Sequence, residues 1–597
     1  MPQARSRSTL GESGLLAIGF LALSGAVFAA HSTPATGYEL SLYTNTPLAF
    51  WILSGCALFV SLLVSFGATT DWYRQLGLGL GGGSLVAFVG LPILRGYRFY
   101  GAGDALTHLG WIRGIQSGSF SPIELEYPAF HTVTTILSVI FEIDLAHAAL
   151  FVIVTLSSLF FLFVTLSVSV GLESPYSTVI GAFSAFLFLP ITNLSTYLVP
   201  HAMSQAILFF SVTLYLLLKY VGGGAVHPLL SAIGVLFAIT SITLVFYHPQ
   251  LVAHLLVVFL GICVLQYLYR RYRTDHPIVD HRPIYGQTIV LLAAFLAWTT
   301  QHDFLLGSVE YAVSGALAYF IGGGSASDSI GSQSTSLAEL GASATELFLK
   351  LFSPSLVFIG LTGLLMLWTI WENDGTMMRK TNGFVPYFII SLAGLTGVFA
   401  LYFLGSYGNM YFRVLGLMLV LITITGSIAI VYGLTTFARE HLPAGVHGIV
   451  IVGLGFLLLI SLVAVFPSPY IYSASPHVTD MSMSGHQTAF DNRDENVTFV
   501  GIRAGPNRYA DAIRGELTRN QQYDGITSEE IDNGLSRQYI DDRYLIVTQA
   551  DKGRELRAYQ ELRYSRRQLN SVGGQYGVNR VESNGEFELY YIYGMDE

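Results

Sequence analysis

The chain has 597 residues, of which 52% are hydrophobic and 12% charged, with a mean hydropathy of +0.54. That is too apolar for a chain that must cover a soluble surface with polar groups, so it reads as a polytopic membrane protein. Net charge is −9, and an acidic balance argues against nucleic acid as a partner.

Charge divides the chain unevenly. Residues 468–597 hold 14 Lys+Arg and 20 Asp+Glu, while residues 1–467 hold only 35 charged residues. The expected organisation is a transmembrane part, 1–467, followed by a soluble extracytoplasmic tail, 468–597. Cys56 and Cys263 both lie in apolar runs, where a small soft side chain packs well, so neither a disulfide scaffold nor a thiolate metal site is expected.

A span needs about 20 mostly apolar residues. Thirteen runs qualify: 14–30, 47–66, 76–94, 146–170, 176–198, 200–220, 228–247, 249–270, 284–301, 354–371, 384–405, 411–436 and 446–467. The piece 129–143 is shorter and ends on acidic residues, and it decides the topology. If it lies along the interface, one side collects Arg5, Arg7, Arg74, Lys219, Arg270, Arg271, Arg273, Arg282, Arg379, Lys380 and Arg439, and the other only Arg95, Arg98, Arg113, Lys350 and Arg413. The positive-inside bias then puts the N-terminus in the cytoplasm and the tail outside the cell membrane. Two long outer loops follow, 95–145 and 302–353. In the tail, 544–548 and 587–593 read as strands, and 508–518 and 556–569 as helices. A mainly α membrane bundle with a small α/β extracytoplasmic domain is expected.

Polar and ionisable residues then gather near outer helix ends: Asp104, His108, Glu126, His131, His201, His248, His302, Asp303, Asn409 and Arg413. Charged groups beside bilayer segments are functional-site candidates by default. A carboxylate can deprotonate an acceptor hydroxyl, and an arginine fork matches phosphate oxygens. His108 follows Asp104 by four residues, on one face if the stretch is helical. The spacing of these residues supports no specific metal site, and no cofactor is expected.

The order Gly103-Asp104-Ala105-Leu106-Thr107-His108, then Tyr127-Pro128-Ala129-Phe130-His131 at the start of a juxtamembrane helix, resembles the GT-C membrane glycosyltransferases. In that family an Asp or Glu of the first outer loop is catalytic and a Tyr-Pro-Pro or His-Pro-Pro element follows. Asp104 and Tyr127-Pro128 match these; Ala129 departs from the second proline. The stretches Val199-Pro200-His201-Ala202-Met203-Ser204-Gln205 and Asn409-Met410-Tyr411-Phe412-Arg413 are similar to archaeal members. The resemblance implies a GT-C-like fold and an inverting transfer of sugar from a polyprenyl (dolichyl) phosphate. Asp104, Glu126 and His108 would be the catalytic set; Arg413, His201 and Tyr127 would hold the donor phosphate; His131, His302 and Asp303 would line the acceptor side. Oligosaccharyltransferases of this group carry Trp-Trp-Asp in the tail, and residues 468–597 contain no Trp. A single-sugar transferase acting on a glycan, protein or lipid is therefore expected, and a transporter or lipid-linked-glycan flippase is the rival. The rival predicts broken helices and polar residues at mid-span.

Overall fold

The computed structural model describes residues 2–595 apart from 225–230, 274, 303–306, 308–313, 315–342, 373–375, 405–409 and 441–442. Eight helices are long and apolar enough to cross a membrane among these residues: Gly11–His31, Leu48–Gly67, Leu145–Gly171, Ala202–Val221, Pro249–Tyr272, Ala344–Trp371, Val385–Leu404 and Met410–Thr436. Several buried hydroxyls of the apolar helices bond back into their own helix: Ser84, Thr165 and Thr423 each donate to the carbonyl four residues earlier, at 2.8, 2.6 and 2.6 Å. Apolar side chains such as Ile52, Phe59, Leu364 and Ile370 point outward, which suits a lipid surround.

The other apolar runs depart from full spans. Residues 232–247 and 285–299 form shorter apolar helices, and 76–94 is a glycine-rich helix, Asp71–Val89, followed by the turn Leu91–Leu94. The expected span 176–198 is not one helix: Ser177–Ala185 stops after nine residues. Phe188 and Asn193 then take left-handed backbone at φ 51 and 54. This irregular stretch is tied to the segment after the last apolar helix, with Asn193 Nδ2 donating to Ala464 O at 2.6 Å and to Val465 O at 2.9 Å. The helix Ala344–Trp371 starts ten residues before the expected span, inside the second long loop, with Ser343 capping it through the Glu346 N–H at 3.0 Å.

Ala129–Phe141 is a helix of 13 residues, about 20 Å long at 1.5 Å per residue, too short to span. It buries Phe130, His131, Thr134 and Ser138 and exposes Val133, Ile136, Val139, Ile140 and Phe141. An apolar outer stripe of this kind fits an interfacial helix.

The tail carries a five-stranded mixed sheet in the order Asp524–Ile526, Thr498–Ile502, Arg543–Thr548, Phe587–Ile592, Val578–Ser583. The first three strands run parallel, and the last two pair antiparallel. The expected helix 508–518 is Asn507–Arg514, ended by Gly515 at φ 67. The expected helix 556–569 is broken, because Gln560 and Glu561 sit at φ 50 and 64; a π turn, Arg554–Ala558, and a short helix, Arg566–Ser571, flank the break.

The tail is joined to the first loops by buried polar groups. Phe99–Tyr100 pairs antiparallel with His477–Val478. The Glu39 carboxylate takes hydrogen bonds from the Arg95 guanidinium and the Tyr97 hydroxyl. Glu39 N–H donates to His477 Nδ1 at 3.2 Å, and His477 stacks on Tyr97 at 3.7 Å between ring centres.

Candidate functional site

Asp104 opens the helix Asp104–Ser117, straight after Gly103 at φ 58 and ψ −127, a backbone conformation available essentially to glycine alone. A carboxylate in a first helical turn is favoured by the macrodipole. Its Oδ1 lies 2.5 Å from Nη2 of Arg508, a tail residue. The same guanidinium donates to Thr107 Oγ1 at 2.8 Å, and the Thr107 hydroxyl donates to Asp511, which Arg519 grips with two bonds at 2.8 and 2.7 Å. These contacts need the helices Asp104–Ser117 and Asn507–Arg514 to touch backbone to backbone. Gly110 and Gly114 allow it: a Cβ at Gly110 would sit 2.1 Å from the Asp511 carbonyl oxygen, and one at Gly114 2.5 Å from Gly515 O.

One turn after Asp104, His108 is buried. Its Nδ1 is 3.0 Å from His131 Nε2, and His131 Nδ1 is 3.2 Å from Tyr127 O. Burial lowers both imidazoles: His131 is pushed down to about 3, and His108 lies well below its usual value, with the neighbouring His131 adding to the effect. Both rings are therefore neutral at physiological pH. Tyr127 stacks on His248 at 5.2 Å with 7° between the planes, and burial pushes its phenol up to about 12. His201 completes the cluster, 6.1 Å from His108 between ring centres, with Nδ1 3.0 Å from Ser204 Oγ.

Arg413 stands in the first turn of Met410–Glu440 and donates to Gln250 Oε1 at 2.8 Å. No carboxylate lies within ion-pair distance of it among the described residues. Tyr127, Asp104, Tyr197, His201, His248 and His254 are all within its electrostatic reach. A half-buried cation at a helix start is disfavoured by the macrodipole, so the place suits a bound anion that offsets both.

Glu126 sits at the edge. Burial raises its carboxyl, and its backbone carbonyl accepts from Trp298 Nε1 at 2.8 Å. His302 packs on that same Trp298, 4.9 Å between ring centres, so it stands beside the Glu126 loop and apart from the imidazole cluster. Asp303 and Asn409 lie outside the described residues. The structure thus brings Asp104, His108, His131, Tyr127, His201 and Arg413 together. Sequence reading passed over Arg508, Thr107 and Gln250. Gln250 had a signal, directly following His248-Pro249 at a helix start; Arg508 had none, because its link to Asp104 crosses some 400 residues of chain.

No protein-family model matches the chain, and no curated protein does. Among solved structures it is similar to ArnT from Cupriavidus metallidurans bound to undecaprenyl phosphate, with TM-score 0.47 and 11% identity over 89% of this chain and 100% of that one. It is also similar to the oligosaccharyltransferase AglB from Archaeoglobus fulgidus in complex with an inhibitory peptide and a dolichol-phosphate, with TM-score 0.42 and 10% identity over 82% and 72%.

Proposed function

We propose that the chain is an inverting membrane glycosyltransferase, which moves one sugar from a polyprenyl (dolichyl) phosphate to a hydroxyl of a glycan, protein or lipid on the outer face of the cell membrane. The observation that carries the reading is the pairing of a site carboxylate, Asp104, with a guanidinium, Arg413, that has no carboxylate partner among the described residues. A phosphodiester donor brings a single negative charge, which one guanidinium without a carboxylate partner among the described residues matches. A diphosphate would bring more charge than Arg413 balances, since Arg508 is already engaged by Asp104.

In the proposed reaction the acceptor hydroxyl attacks the anomeric carbon as Asp104 takes its proton. The bond from that carbon to the phosphate oxygen breaks, and polyprenyl phosphate leaves with the electron pair and one further negative charge. Arg413 is placed to stabilise that charge, and the neutral His108 and His131 add no charge of their own. Glu126, half-buried with a raised carboxyl, is the second group suited to proton transfer. The tail covers the Asp104 side through Arg508, and so acts with the membrane part in forming the acceptor entrance.

The test is a reconstituted enzyme offered a panel of radiolabelled polyprenyl-phosphate hexoses, with Asp104→Asn as control. Transfer by the wild type and loss in the variant is the expected outcome; equal turnover in both would remove Asp104 as base. The transporter or flippase reading has one observation in its favour, the interrupted helix after Ala185. That break is lined by Phe186, Leu187, Phe188 and Leu189, all buried, and the Thr196, Tyr197 and Asn193 Nδ2 donors in it are bonded to backbone carbonyls. Movement of lipid-linked sugar between leaflets of vesicles without chemical transfer would favour that rival.

A further inference from the structure

The bonds around the two buried imidazoles have only one consistent direction. Tyr127 O is a carbonyl and can only accept, so His131 Nδ1, 3.2 Å away, carries a proton. That carbonyl is available because Pro128 is the helix N-cap, and the helical ladder starts one residue later with Thr132 N–H on Pro128 O at 2.9 Å. His131 is fully buried and is held neutral by that burial, so its Nε2 has a lone pair and no proton. His108 Nδ1, 3.0 Å from that lone pair, must then be the donor. Since His108 is neutral too, its own Nε2 carries no proton, on a ring one helical turn from Asp104 with Tyr127 and His201 at 6.0 and 6.1 Å between ring centres.

We propose that Tyr127 O and His131 form a tautomer relay that fixes His108 Nε2 as the acceptor of a hydrogen bond from a substrate hydroxyl. His131 is the positioning residue and His108 the residue that touches substrate. The spacing Tyr127-Pro128-Ala129-Phe130-His131 has a physical meaning in this light: the Tyr127 carbonyl stands just ahead of the helix N-cap, outside the ladder, and one turn of helix returns the imidazole to it. The identity of the hydroxyl, on the sugar or its acceptor, rests on the transferase reading, whereas the tautomer does not.

The wild-type protein, labelled with 15N-histidine and held in lipid bilayers, reports the tautomer by solid-state NMR, with His108→Asn used to assign the signal. A protonated Nδ1 and a bare Nε2 on His108 are expected; a protonated Nε2 overturns the proposal. His131→Phe removes the acceptor for His108 Nδ1–H and should shift His108 toward the other tautomer. With whichever donor of the hexose panel turns over, the same variant should lose about 10–100-fold in kcat with the donor KM nearly unchanged. His131→Gln presents an amide oxygen to His108 and an N–H to Tyr127 O, and should stay within about threefold of wild type. An unchanged His131→Phe, or equal losses in both variants, overturns the relay. If no donor in the panel turns over, the transferase reading fails and the spectrum alone decides the tautomer.

Discussion

Replacing Gly110 by alanine tests whether the tail helix and the Asp104 helix are in backbone contact. The added Cβ would lie 2.1 Å from Asp511 O, where ordinary contact begins at 3.4 Å, so the helices must part by roughly 1.3 Å. Neither side can yield cheaply, because the obstructing atoms are backbone. Forcing a methyl into such a place costs about 1–3 kcal/mol, against a gain of about 1 kcal/mol from replacing a helical glycine. Gly82→Ala is the internal control, since nothing lies within 4 Å of its added Cβ and only the gain should appear. Parting by that distance also breaks the 2.5 Å contact of Arg508 with Asp104, and misplacement of about 1 Å at a reacting group costs on the order of 100-fold. Thermal unfolding in detergent and sugar transfer in vesicles would both be measured. Gly110→Ala should melt below the wild type and transfer about 100-fold more slowly, while Gly82→Ala should match or exceed the wild type in stability. Equal melting and equal transfer in the two variants would refute the close packing.

Arg413→Ala should raise the apparent KM for the lipid donor more than that for the acceptor, and an unmoved donor KM takes Arg413 out of the site. Arg95→Met strands the buried Glu39 carboxylate, which should cost about 3–5 kcal/mol; a wild-type melting temperature would show that the pair contributes nothing. Arg508→Ala breaks an ion pair that is partly open to water, so its stability cost should stay below about 1 kcal/mol, and a large loss would mean that Arg508 supports the fold itself. The neutral His131 gives stability a pH dependence. Its folded value of about 3 lies below the 6.5 of the unfolded chain, so the unfolded state binds the extra proton between those values. Its contribution is complete above about pH 6.5 and is lost as the pH falls toward 3. His131→Gln should flatten the acid side of a melting-temperature profile, and an unaltered slope would show that His131 is not the group responsible.

Apolar runs were enough to indicate a helical multi-pass membrane protein, because span length and hydropathy are local properties of the chain. Local spacing also indicated a short helix after Pro128 and the one-turn relation of Asp104 to His108. The break after Ala185 was not legible, because a buried irregular stretch of Phe, Leu and Ile has the same hydropathy as a helix and differs only in where its backbone bonds go. The tail's role in the site was equally hidden. Arg508 and Asp104 meet because Gly110 and Gly114 face Asp511 and Gly515 across a helix contact, and no pattern within either segment records a partner 400 residues away. The proton direction proposed between His108 and His131 likewise rests on three-dimensional contacts, an accepting carbonyl and the burial of both rings.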